Sequence, residues 1–144
     1  MQMRRCSAVL FLSCLVVFLA SCSGAAGPRV KGQVLLDGKA VEGARVVFHG
    51  DGGNVTVTDA EGKFSLDGTT FKSVKPGKYI VRITKYVDKK TGQAIDPEQY
   101  DQVLAAGTAK NFLPDKYGGD EMNPLSGEIK AGENALPPFE LKSK

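Results

Sequence analysis

The sequence predicts an all-β domain, a sandwich or barrel of about seven short strands, and three observations carry that prediction. From Val30 onward, short runs rich in β-branched and aromatic residues alternate with turn dipeptides at intervals of about eight to twelve residues. The 144 residues include 17 glycines, 7 prolines and no tryptophan, yet 42% are hydrophobic, too many for a wholly disordered chain. That length suits a single core, which argues against a multidomain enzyme. A formal charge of +3 is far from the basic field of a dedicated nucleic-acid binder, so no nucleic-acid partner is expected. No CxxC or HExxH spacing occurs, and neither a metal nor a cofactor is expected.

The chain opens with Arg4 and Arg5, a nearly continuous apolar run from Ala8 to Ala20, and the small residues Ala20 and Ser21 ahead of Cys22. This is the pattern of an export signal over residues 1–21. The run is too short for a membrane-spanning helix, which needs roughly 20 apolar residues. Leu19-Ala20-Ser21-Cys22 resembles the bacterial lipobox. That resemblance implies cleavage before Cys22, a diacylglyceryl group on its thiol and acylation of its new amine. Membrane lipid would then be the first partner, held by two or more chains at about 0.8 kcal/mol per buried methylene. Cleavage removes Arg4, Arg5, Cys6 and Cys14, leaving a nearly neutral chain whose one cysteine carries lipid, so no internal disulfide can form. Residues 22–29 are the lipidated cysteine and a small polar tether, and residues 30–144 are the domain.

The strands follow in order. Val30, Gly32, Val34 and Leu36 alternate with Lys31 and Gln33 up to the tight-turn pair Asp37-Gly38. Ala44, Val46 and Phe48 share one face of a second strand, opposite Arg45, Val47 and His49, and Gly50 to Gly53 reverses it. Val55 and Val57 alternate with Thr56 and Thr58, and beyond Asp59-Ala60-Glu61-Gly62 come Phe64 and Leu66. Pro76-Gly77 suits the centre of a type II turn that launches the longest strand, Lys78 to Tyr86, with Tyr79, Val81 and Ile83 facing the core. The last two strands are Leu125 to Ala131, burying Leu125 and Ile129, and about Pro138 to Lys142, burying Phe139 and Leu141.

Between them lies an insert, residues 87–124, too long for an ordinary sandwich connection. One helix is expected over 97–106, with Asp96 as N-cap, Pro97 in the first position, Glu98 at the positive end and Gly107 as terminator.

The order Gly32, Val34, Asp37-Gly38, Gly43-Ala44-Arg45-Val46-Val47-Phe48, Thr58 to Phe64, Pro76-Gly77-Lys78-Tyr79, Leu113-Pro114-Asp115-Lys116-Tyr117, Pro124-Leu125 and Gly132-Glu133-Asn134 resembles the carboxypeptidase regulatory-like domain of small bacterial lipoproteins. The resemblance covers essentially the whole mature chain. It implies a transthyretin-like (prealbumin-like) Greek-key β-sandwich, with the helix-bearing insert before the last two strands, and it transfers no catalytic or ligand residue. The purine-breakdown hydrolases of the same fold are less similar, since they use several histidines and a Tyr-Arg-Gly-Ser terminus where this chain ends Leu141-Lys142-Ser143-Lys144. Collagen-adhesin B-type repeats are similar around Tyr79, but Ile83 stands where their isopeptide-forming acid would be.

Each chemical signal has a plain alternative. Asp59, Glu61 and Asp67 around Gly62 suggest calcium, but a hairpin turn explains Asp first and Gly in the left-handed position. His49 is the one histidine and points outward by parity, so it is read as solvated rather than as a catalytic base. Residues 72 to 90 hold Lys72, Lys75, Lys78, Arg82, Lys85, Lys89 and Lys90 against Asp88 alone. Lys78 and Arg82 share a face and are the candidates for contact with an anionic surface. The favoured alternative is compensation by the acids of the insert. Tyr100, Phe112, Pro114 and Tyr117 are read as a second small core before a binding surface.

Together these features describe an exported lipoprotein in the periplasm or at the cell surface. It acts without catalysis as a binding or scaffold module for an envelope protein or polysaccharide. The competing reading is an envelope hydrolase or small-ligand carrier with its site in the 87–124 insert and His49 or Tyr117 taking part.

Overall fold

The structure is a computed structural model that describes residues 27–50, 54–67, 74–119 and 122–144. The signal, Cys22, most of the tether, the tip of the Gly50 to Gly53 turn and Lys72 lie outside the described residues.

The fold is a sandwich-like stack of β-sheets with one short helix. Strand β1 (Arg29–Leu36) is the centre of the first sheet. It pairs antiparallel with β2 (Lys39–Ala40) and β5 (Lys63–Leu66) on one side. On the other it pairs parallel with β10 (Glu133–Ala135) and β11 (Phe139–Leu141). The second sheet runs β4 (Asn54–Val57), β3 (Arg45–His49), β6 (Gly77–Thr84), β9 (Ser126–Ile129), all antiparallel. A separate ribbon, β7 (Tyr86–Asp88) with β8 (Ala109–Asn111), belongs to the insert.

The core lies between the two large sheets. Val30, Val34, Phe64 and Leu66 meet Val46, Phe48, Tyr79, Val81 and Ile83 across it. The alternation read in β1, β3, β5 and β6 thus gives the buried faces observed. Phe64 has room because β1 carries Gly32 beneath it: a Cβ there would come within 2.4 Å of the ring. Phe64 also stacks on Phe139, with centroids 6.1 Å apart. The Asp37-Gly38 turn has both residues at positive φ, 50° and 81°, as a two-residue type I′ hairpin requires.

Several expectations are corrected. There are eleven short strands among the described residues rather than about seven, because β2, the ribbon β7–β8 and β10 add pieces of two or three residues. Gly77 has φ 159°, nearly extended, and already pairs with Ile129 as the first residue of β6, so Pro76-Gly77 is not the centre of a type II turn. The longest strand stops at Thr84 rather than running to Tyr86. At Lys85 the chain changes partner, its N–H donating to Asn111 Oδ1 at 3.2 Å and its carbonyl accepting from Phe112 N–H at 2.6 Å. In the last part Leu125 is only partly buried, ahead of β9, whereas Ile129 is buried as expected, with Gly127 on the same inward face.

Strand β4 turns its valines outward. Asn54 and Thr58 are buried, whereas Val57 is 43% exposed. Thr58 is held inside by backbone needs: its hydroxyl accepts from Ala44 N–H at 2.8 Å and donates to Val41 O. Asn54 is 1% exposed and its side-chain amide has no hydrogen-bond partner among the described residues.

The helix matches its sequence signals. Asp96 accepts from Glu98 N–H at 3.0 Å, Pro97 opens a 3-10 turn over Pro97–Gln99, and α1 follows at Tyr100–Ala105. Gly107 closes it at φ 67°. Only Tyr100 of α1 is buried. Its hydroxyl donates to Gly43 O at 3.1 Å and accepts from Tyr86 N–H at 3.2 Å, which ties the insert to the sandwich.

Candidate functional site

Strand directions sort the molecule into two ends. Arg29, where the described chain enters β1, donates its N–H to Gly132 O at 2.9 Å, so the β9–β10 turn and the start of β6 share that end. The other end holds the β1–β2 turn, the turn around Asp59, the insert that leaves β6 at Thr84, and the C-terminal residues after β11. The ends are separated by the length of β1, about 23 Å at some 3.3 Å per residue.

At this second end Asn111 fixes a tight corner. Its Oδ1 accepts from both Lys85 N–H and Leu113 N–H, each at 3.2 Å. Leu113 turns into the main core, 2% exposed. The neighbouring Phe112 is thereby directed outward and is 55% exposed. Lys85 Nζ stands 5.7 Å from the centre of its ring, within cation–π range. Phe112 and Lys85 border a cleft of about 430 Å³ whose other walls include Leu36, Lys39 and Val41.

Two further lysines belong to this end of the sandwich. The turn Asp115–Tyr117 buries Tyr117, whose hydroxyl accepts from Lys142 N–H at 2.9 Å, and Lys116 Nζ lies 5.0 Å from the Tyr117 ring centre. Asp37, the acid at the β1–β2 turn, is already engaged by Ser143, whose N–H donates to Oδ1 at 3.3 Å. Hydrogen bonds from the Ser143 hydroxyl and N–H, with Lys142 and Lys39 nearby, hold its carboxyl below the usual range. Lys39, Lys85 and the Asp37 carboxylate thus line the cleft beside one exposed aromatic ring. Sequence reading named Phe112 as a possible lining residue and Lys85 as part of the basic run, but missed that the two meet Asp37 and Lys39, which come from a distant segment.

The residues singled out from sequence fall elsewhere. Lys78 and Arg82 do share the outer face of β6, with Ile80 between them 38% exposed. Lys78 lies at the Arg29 end, opposite Glu128 in the β6–β9 register, and Arg82 stands opposite Val47. The basic run is thus divided between the two ends: Lys85 joins Phe112, and Lys89 Nζ donates to Gly107 O at 2.7 Å. Of the acids in the insert, Asp101 reaches Arg45 on β3 at 3.4 Å, beside a second cleft of about 430 Å³ floored by Val55 and Val57. Tyr100 and Tyr117 are buried, and Tyr117 joins the main core together with Leu113 instead of forming a second one. His49 is exposed at the end of β3.

Around Asp59 the carboxylate serves the turn. Its Oδ1 accepts from Glu61 N–H at 3.0 Å and Lys63 N–H at 2.8 Å, and Gly62 has φ 70°. Among the described residues no group of three or more histidine, cysteine or acidic side chains could hold a metal ion. No helix among them is long and apolar enough to cross a membrane.

No family model matches the chain, and no curated protein matches its sequence. A crystal structure of a DUF3823 family protein from Parabacteroides merdae is distantly similar, with a TM-score of 0.38 and 15% identity. The similarity covers 80% of this chain and 46% of that one, so the chain spans about half the length of that protein.

Proposed function

We propose that the protein is a lipid-anchored binding module of the bacterial envelope, held to a membrane through Cys22 and presenting the insert end of its sandwich to a partner without catalysing a reaction. The lipobox-like Leu19-Ala20-Ser21-Cys22 and the resemblance to carboxypeptidase regulatory-like domains support the placement and a transthyretin-like Greek-key arrangement of the sheets. The single observation that carries the binding role is the cleft at Phe112. An exposed ring and cations sit there on a corner fixed by Asn111 and Tyr117, as expected of a recognition surface on a rigid scaffold. Asp37, the acid at that cleft, is spent on Ser143 and is poorly placed to serve as a general base.

Labelling with a radioactive fatty acid in a bacterial host tests the anchor. The expected result is incorporation into the wild-type chain, processed to start at Cys22, and none into Cys22→Ala. Equal labelling of the two proteins, or an unprocessed amino terminus on the wild type, would overturn the reading.

A further inference from the structure

We infer that the seam between β9 and the β10–β11 edge is a strand-addition site, which takes an extended segment of a partner protein as an extra strand on β9. It is separate from the Phe112 cleft and goes beyond the role proposed above.

Backbone groups on both sides of the seam select the occupant. Val81 N–H donates to Leu125 O, and the β6–β9 register pairs Tyr79 with Gly127 and Gly77 with Ile129. Antiparallel alternation therefore turns the N–H and C=O of Ser126 and Glu128 away from β6. Across the seam, Arg29 N–H donates to Gly132 O and Leu136 N–H to Lys31 O, which leaves the backbone groups of Glu133 and Ala135 directed away from β1. These four residues border a cleft of about 440 Å³ between the two sheets. Donors and acceptors repeating every second residue are what another β-strand backbone matches.

Asn134 shows that this edge accepts an amide. Its side-chain carboxamide accepts from Lys130 N–H at 2.7 Å and donates to Lys130 O at 2.8 Å, the pair of bonds that a neighbouring strand makes. The next two outward rungs of β9, at Glu128 and Ser126, have no such stand-in among the described residues. A visiting strand continues what Asn134 begins. The side chains set its pattern: a residue beside Gly127 points inward and meets Leu136 and Phe139, so it is apolar, while its neighbours lie on the solvent side with Ser126 and Glu128 and are polar.

A second copy of this chain fits less well. Its own β9 arrives with Asn134 and β10 already alongside, and two rungs on each copy fall short of the roughly 1,000 Å² that a stable interface buries.

The test uses the isotope-labelled full chain in a neutral detergent and the peptide acetyl-Thr-Val-Lys-Val-Thr-Val-amide as the probe, with amide hydrogen exchange followed by NMR. The expected result at saturation is exchange slowed about tenfold or more at Ser126 and Glu128, and changed less than about twofold at Gly127 and Ile129, whose N–H groups already pair with β6. Ser126→Pro removes one outward N–H at the first position of β9, where no bond to β6 is lost, and should weaken binding about fivefold or more. Two further peptides, N-methylated at every second residue in one phase or the other, test the wild type without any mutation. The phase that blocks the bonds to β9 should bind about tenfold or more weakly than the parent. No protection at about 5 mM peptide, or protection centred outside β9, overturns the inference. Equal binding of the parent and both methylated peptides does the same. So does concentration-dependent association of the wild type alone that Ser126→Pro abolishes, which would assign the edge to a second copy.

Discussion

Single atoms account for the stability of the joint between insert and sandwich. The Tyr100 hydroxyl is the hydrogen-bond hub between Gly43 and Tyr86, and the two tyrosine rings meet edge to face with centroids 4.9 Å apart. Tyr100→Phe keeps the ring but leaves the Gly43 carbonyl and the Tyr86 N–H unpaired, at a cost of about 1–3 kcal/mol in urea unfolding. Burial raises the pKa of the Tyr100 phenol, with the bond from Tyr86 N–H acting against it. A raised acid favours folding in its protonated form, so this contribution is complete below the ordinary tyrosine range and disappears as pH rises through the folded-state value. Unfolding midpoints should therefore fall above about pH 10 in the wild type and fall less steeply in Tyr100→Phe. Asn54 predicts the opposite sign of mutational effect. Its amide is buried without a partner, so Asn54→Val removes a desolvation cost and suits a strand; thermal unfolding should show a gain of about 1 kcal/mol.

At the scale of elements, the open edge of β9 shows how the fold limits unwanted pairing. Val81 N–H donates to Leu125 O, which by antiparallel alternation directs the backbone groups of Ser126, Glu128 and Lys130 away from β6. Asn134 covers the last of these, accepting from Lys130 N–H at 2.7 Å and donating to Lys130 O at 2.8 Å, as a neighbouring strand would. Asn134→Ala should cost about 1–2 kcal/mol and expose that rung, visible as concentration-dependent association in sedimentation velocity. The elements also explain what the sequence could and could not reveal. β1, β3, β5 and β6 are long enough for period-two burial to be read directly, and Asp96, Pro97 and Gly107 mark both ends of the helical segment. β2, β7, β8 and β10 have two or three residues each and carry no periodicity to read. The valines of β4 alternate as expected, yet they face outward because Thr58 is recruited by the backbone of Ala44 and Val41. The lysines at the Phe112 cleft were illegible for a related reason. Position 39 meets position 85 only after β1 has been placed between β2 and β11.

For the whole molecule, the decisive relation is that β1 runs the length of the sandwich from Arg29 to Leu36, with the Phe112 cleft beside its far end. A chain anchored at Cys22 has six residues, Ser23 to Pro28, before that strand, a reach of at most roughly 20 Å. This is about the length of β1 itself, so such a tether would let the domain stand on its Arg29 end but not invert it close to the bilayer. With the proposed anchor on Cys22, Lys75 and Lys78 at the Arg29 end would face headgroups, and Lys39 and Lys85 at the Phe112 cleft would face outward. Cysteines introduced one at a time at Ala60 and Ala131, both exposed turn positions at opposite ends of the sandwich, and labelled with a fluorophore give a direct measurement. In vesicles carrying quencher-labelled headgroups, the label at position 131 should be quenched strongly and that at position 60 weakly. Equal quenching would mean that the sandwich lies flat, and the cleft would then meet partners only at the membrane plane. Stronger quenching at position 60 would reverse the orientation and assign the Phe112 lysines to lipid.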